Sequence, residues 1–169
     1  MTRWKSTTLS VAIMSLMVGP AVLFKGSEIA AAEQGVEDVW KPAATPKGGV
    51  SWKVLEATGE TTRKDKQGYI LSKPQFTSQV KSLAGKRIKV AGWMMPLENG
   101  SKQKHFVLLG YPPGCPFHFH AAPNQFIEIY ADTAFPTNES KVHIVSGVLE
   151  LTGYDESGIF YRLRDARPG

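Results

Sequence analysis

From Lys86 onward the chain alternates apolar and polar residues in short segments of similar spacing, and this period-two pattern limits its fold more than any other feature. Lys86–Trp93 (KRIKVAGW) places Ile88, Val90 and Gly92 on one side. Lys104–Leu109, Asn124–Ala131, Lys141–Thr152 and Ile159–Leu163 read as further strands. Glu98-Asn99-Gly100-Ser101 and Gly153–Gly158 read as turns, and Tyr111–Pro123 as a Pro-rich loop. Gly92 and Gly147 stand inside strands, where glycine permits the sharp coil of a closed barrel. One helix is expected, over Pro74–Ala84. Proline suits its first turn, Phe76, Val80 and Leu83 recur at i, i+4 and i+7, and Gly85 stands where a cap would end it. The expected class is mainly β: a small OB-like closed barrel of about five strands, with this helix preceding the first main barrel strand. A small open sheet or another β-barrel is the alternative.

The N-terminal part divides differently. Arg3 and Lys5 precede an uncharged run, Leu9–Phe24, broken by Gly19-Pro20. Ala30-Ala31-Ala32 then offers an A-x-A cleavage pattern. Residues 1–32 are therefore expected to be a signal peptide, with an uncleaved anchor as the alternative. The working protein is expected in the periplasm or otherwise exported, without stable membrane insertion after cleavage near Ala32. Residues 33–49 (EQGVEDVWKPAATPKGG) carry no apolar period and read as a flexible tether. The barrel domain is expected over 50–169. Within it, Val50–Leu55 alternates as a strand would, Thr58–Gln67 reads as a loop or ragged hairpin, and Gly68–Leu71 as a short strand.

Charge excludes some partners. The whole chain carries a formal +5, part of it in the N-terminal segment. The basic runs Arg63-Lys64-Asp65-Lys66 and Lys81…Lys86-Arg87-Lys89 have polar neighbours and read as solvated faces. Aromatic residues on an OB-like barrel raise a nucleic-acid reading. Export opposes it, as does the absence of Lys and Arg between Phe106 and Tyr130.

The densest chemistry lies in Tyr111–Gln125, which holds the only cysteine, Cys115, with His118 and His120. An exported chain with one cysteine has no internal disulfide. Thiolate and imidazole are donors that zinc and copper favour. In extended backbone His118 and His120 point to one side and Phe117 and Phe119 to the other. Pro113-Gly114 and Pro116 interrupt the strand, so the Cys115 thiol can turn toward the imidazoles. The expected metal ligands are Cys115, His118 and His120, with His105 or His143 as a fourth, or Met94 for copper. The alternative is a buried thiol beside two surface histidines, with His105, His143 and Met94 as ordinary strand residues. A thiol-redox role lacks a second cysteine. A Cys–His nucleophile lacks a third group marked by spacing. No glycine-rich phosphate loop or G-x-S-x-G is present.

Trp52-x-x-Leu55, Phe76…Val80-x-x-Leu83-x-Gly85-Lys86, Gly92-Trp93-Met94-x-Pro96-Leu97, Cys115-x-x-His118 and Pro123-Asn124-Gln125, in this order, resemble an exported bacterial domain-of-unknown-function family. The resemblance spans about residues 50–165. Members are often encoded beside lipoprotein-release-type ABC transporters and linked to metal supply, and the family's Cys and nearby His or Cys map onto Cys115 and His118. This chain differs in having His120 and a shorter proline run. The resemblance implies location and architecture, with no settled activity. The expected function is a periplasmic metal-binding accessory protein, not an enzyme. It would hold Zn(II) or copper and serve an envelope transporter or metal-receiving protein. The alternative is a protein-interaction module of the cell envelope.

Overall fold

A computed structural model of the chain describes residues 41–114, 121–154 and 156–169. Its first element is helix α1 (Trp52–Glu56), followed by strands β1 (Gly59–Lys64) and β2 (Ile70–Gln75) and helix α2 (Ser78–Lys81). Strands β3 (Arg87–Pro96), β4 (Lys102–Leu109), β5 (Phe126–Pro136), β6 (Val142–Leu151) and β7 (Tyr161–Pro168) complete the order. The last five close into a barrel in the order β3-β4-β5-β7-β6, while β1 and β2 form a separate hairpin. All barrel pairs are antiparallel except β5 with β7. This is the closed, mainly β architecture that the alternating segments predict.

Inward residues follow the strand period. Ile88, Val90 and Met94 on β3, Phe106 and Leu108 on β4, Ile127 and Ile129 on β5, Val145 and Leu149 on β6, and Leu163 on β7 are all buried. Phe106–Leu109 is apolar without alternation, because the outward Val107 and Leu109 are also buried. No helix among the described residues is long and apolar enough to cross a membrane.

Two local expectations are corrected. Residues 52–56 are helical rather than extended: Ser51 caps α1, its Oγ accepting from Lys53 N at 3.2 Å. Trp52 and Leu55, three apart, share the buried face of that helix. The alternation of Val50–Leu55 masked this spacing. The helix expected over Pro74–Ala84 is only Ser78–Lys81, capped by Thr77, whose Oγ1 accepts from Val80 N. Pro74 belongs to β2, where it is buried. The predicted apolar face survives, since Phe76 and Val80 are buried and Leu83 packs against the core. Gly85, with φ +73°, makes the left-handed turn into β3.

α1 and the residues after it cap one end of the barrel. The buried Tyr161 hydroxyl donates to the Leu55 carbonyl at 2.7 Å and accepts from Thr58 Oγ1 at 2.6 Å. Burial pushes this phenol up to about 12, so it stays neutral throughout the physiological range. Trp52 Nε1 donates to the Ala91 carbonyl at 2.7 Å. Residues 41–49, read from the sequence as part of a tether, lie against the same structure. Ala43 is buried and donates its N–H to the Gly110 carbonyl, and Gly49 is followed by Val50, which donates to the Lys89 carbonyl.

At Gly147 strands β6 and β7 approach each other closely. The pairing shifts register between Ser146 and Val148, and Asp165 opposite takes a left-handed φ of 49°. Arg87 Nη1 donates to the carbonyls of Ser146 and Asp165 across this bulge. A Cβ on Gly147 would stand 2.9 Å from the Arg164 carbonyl oxygen and 3.0 Å from Leu163 Cβ. Space rather than dihedral angle requires glycine here. Gly147→Val is expected to destabilise the domain by about 1–3 kcal/mol, measured by denaturant unfolding. An unchanged midpoint would contradict this packing.

Candidate functional site

The segment holding Cys115, His118 and His120 lies outside the described residues. What the structure defines is its base. Gly110 N donates to the Gln125 carbonyl at 2.9 Å, joining the end of β4 to the start of β5. Asn124 Nδ2 donates to the carbonyls of Glu56 and Thr58, each at 3.0 Å. Gln125 Nε2 donates to Glu56 Oε1 at 3.1 Å, and Gln125 Oε1 accepts from Ala122 N at 3.1 Å. Tyr111 is raised to about 12, first by burial and then by hydrogen bonding to Glu56. Gly110 lies against the Trp52 indole, where an added Cβ would come within 2.8 Å of the ring. Helix α1 thus anchors both ends of the Cys/His loop. The Pro123-Asn124-Gln125 motif has a structural reason: its two amides satisfy the backbone and side chain at the end of α1.

His105 sits on the same β4–β5 hairpin, facing outward opposite Tyr130. Its Nε2 lies 3.0 Å from Glu128 Oε1, and its ring stacks on Tyr130 with centroids 4.4 Å apart. An ionised carboxylate only accepts, so Nε2 is the protonated nitrogen in this contact. Tyr130 also donates its hydroxyl to Glu128 Oε1 at 2.9 Å. From β7, Arg162 Nε donates to Glu128 Oε2 at 2.6 Å, and Arg164 lies over the Tyr130 ring at 4.1 Å. Arg164 Nε in turn donates to Glu150 Oε2 on β6 at 2.8 Å. A continuous polar belt therefore crosses the outer wall from β4 to β6.

Glu128 is the belt's central group. It is buried beneath its partners. Burial by itself pushes its carboxyl up; hydrogen bonds from Arg162, His105 and Tyr130 outweigh burial and hold it below its ordinary value. An acid that is stronger in the folded state than in the unfolded chain stabilises the fold fully above the ordinary carboxylate range. That contribution is lost as pH falls through the folded pKa.

His143 is placed differently. It pairs with Gly92 and shares the inward face of the wall near one barrel end, where its Nε2 lies 2.7 Å from the Asn138 carbonyl. Its ring meets Phe135 edge-on at 6.3 Å. His105 and His143 therefore lie on opposite faces of the barrel wall and do not converge. Met94 is fully buried in the core, which fits the packing role weighed for it against copper ligation. Among the described residues no group of three His, Cys, Asp or Glu side chains could hold a metal ion.

The belt of Glu128, Tyr130, Arg162, Arg164 and Glu150 was not anticipated as a unit. Glu128 between Ile127 and Ile129, and the paired arginines around Leu163, show its members in the sequence. The parallel β5–β7 register that joins them carries no local signal. Replacing the carboxylate tests the belt. Glu128→Gln is expected to lower stability at neutral pH by about 1–3 kcal/mol. The difference from wild type should shrink in unfolding experiments as pH falls below the ordinary carboxyl value of 4.5. A difference that stays constant with pH would contradict the account of Glu128.

Among curated proteins no sequence matches this chain. A crystal structure of a DUF3299 family protein from Pseudomonas aeruginosa PAO1 is similar, with 22% sequence identity and a TM-score of 0.43. The similarity covers 53% of this chain and 65% of the other. Residues 31–163 match the family described as protein of unknown function, DUF3299. That match spans most of the sequence, including strands β3 to β6, the start of β7 and the Cys/His loop, and the chain belongs to the DUF3299 family.

Proposed function

We propose that this chain is an exported, periplasmic metal-binding accessory protein. It holds one Zn(II) or copper ion through Cys115, His118 and His120, with His105 as fourth ligand, and passes it to an envelope transporter or metal-receiving protein. The observation that carries the reading is the contact between His105 Nε2 and Glu128. Histidines that ligate metals typically donate their second ring N–H to a carboxylate, which fixes the tautomer and raises the basicity of the ligating nitrogen. In a neutral ring, an Nε2–H donated to Glu128 leaves the lone pair on Nδ1.

The loop's reach supports the same set. His105 precedes Gly110 by five residues, roughly 16 Å along a strand at about 3.3 Å per residue. Cys115 follows Gly110 by the same number of residues, so the intervening chain is long enough to cover that distance when extended. Prolines 112, 113 and 116 restrict the unbound loop and reduce the entropy lost when it closes on an ion. His143, on the other face of the wall, is not part of this set.

Metal titration tests the reading. Reduced, metal-free protein should take up about one equivalent of Zn(II) or Cu(I), less as pH falls below the imidazole range of about 6.5. Cys115→Ser should remove most of the affinity. His105→Ala should weaken binding, and Glu128→Gln should weaken it by about 10–100-fold. His143→Ala should leave it unchanged. Equal uptake by wild type and Cys115→Ser/His118→Ala would overturn the metal reading and favour a protein-interaction module.

A further inference from the structure

The β1–β2 hairpin adds little to the core. Every residue of β1 is exposed, and only Ser72 and Pro74 of β2 are buried. It is nevertheless fixed to the rest of the domain. Arg63 pairs with both carboxylate oxygens of Glu156 in the β6–β7 connection, and Ser72 forms a β-bridge with Ser157. Within the hairpin, Ser72 Oγ donates to Glu60 Oε2 at 2.5 Å, and Gln75 Nε2 donates to Thr61 Oγ1 at 2.6 Å.

The tip is ordered as well. Asp65 Oδ1 accepts from Gln67 N at 2.9 Å and Tyr69 N at 2.8 Å, and Gly68 supplies the left-handed turn at φ +87°. This turn presents Tyr69 and Ile70, each 70% exposed, the most exposed large hydrophobics among the described residues. Lys64 is the register partner of Ile70, and Lys66 lies in the turn. The nearby acids are engaged: Asp65 by the turn amides, Glu60 by Ser72 and Glu156 by Arg63, with Lys73 close enough to act on Glu156.

We infer that this tip is a membrane-surface contact, seating Tyr69 and Ile70 in the interface of an anionic phospholipid bilayer while Lys64 and Lys66 meet its headgroups. Two adjacent apolar side chains on a projecting tip offer far less area than a stable protein interface needs. They do suit a bilayer interface. There an aromatic ring with a polar end is favoured, an aliphatic neighbour reaches the acyl boundary, and lysines extend toward negative charge. The inference does not rest on the proposed metal site.

A reporter at the tip itself distinguishes this contact from any binding through the apolar run near the N-terminus. In the full chain, Tyr69→Trp adds an indole whose emission is read as the difference from wild type. With vesicles of phosphatidylglycerol and phosphatidylcholine, that difference emission should shift to shorter wavelength and be quenched when the lipids are brominated. Raising the salt, or adding Lys64→Gln/Lys66→Gln, should reduce both effects, as should vesicles of phosphatidylcholine alone. Ile70→Ser in the same background should reduce the shift without altering the unfolding midpoint, since Ile70 is exposed. An unshifted, unquenched indole on anionic vesicles would overturn the proposal and turn attention to a protein partner. A shift that is indifferent to lipid charge, salt and both lysines would overturn it too.

Discussion

The Tyr161 hydroxyl, held between the Leu55 carbonyl and Thr58 Oγ1, is the contact on which the rest of the arrangement depends. A buried phenol without partners would cost stability, so these two bonds fix where the segment after α1 meets the barrel. Trp52 makes a second anchor through Ala91 and fills the space that Gly110 leaves open. With α1 fixed, the carbonyls of Glu56 and Thr58 stand where Asn124 can bind both. A helix of five residues, too short to be stable alone, thereby sets the base of the chemically richest loop in the chain.

The outer wall continues the same logic with charge. Glu128 would be an unfavourable group beneath the surface were it not met by Arg162, His105 and Tyr130 at once. Those partners come from β4, β5 and β7, so the carboxylate also reports on whether the barrel has closed in the right register. The imidazole that it orients lies on the hairpin that carries the Cys/His loop. If the proposed metal site is right, structural and chemical roles meet at this one side chain, and replacing it would affect both.

The barrel was legible because, apart from the wholly buried Phe106–Leu109, its strands keep a period-two pattern between Ile88 and Leu163, and because Gly147 occurs where a side chain would strike the neighbouring strand. The two helices were legible only in part. In α1 a coincidental alternation hid the Trp52–Leu55 spacing, and in α2 the buried Pro74 ended a strand instead of starting a helix. Cys115, His118 and His120 were visible as a cluster of metal-favouring residue types. The Glu128–Arg162 partnership was not, since the two are 34 positions apart and meet through a parallel pairing. Nor could the sequence separate His105 from His143, because which face each presents follows from strand register.

The proposed centre has a direct spectroscopic signature. Zinc K-edge X-ray absorption of the loaded protein is expected to give one sulfur scatterer at about 2.3 Å and three imidazole nitrogens at about 2.0–2.1 Å. His105→Ala should reduce the imidazole contribution by one ligand, and His143→Ala should leave the spectrum unchanged. A shell without sulfur, or a spectrum that His105→Ala does not alter, would contradict the account.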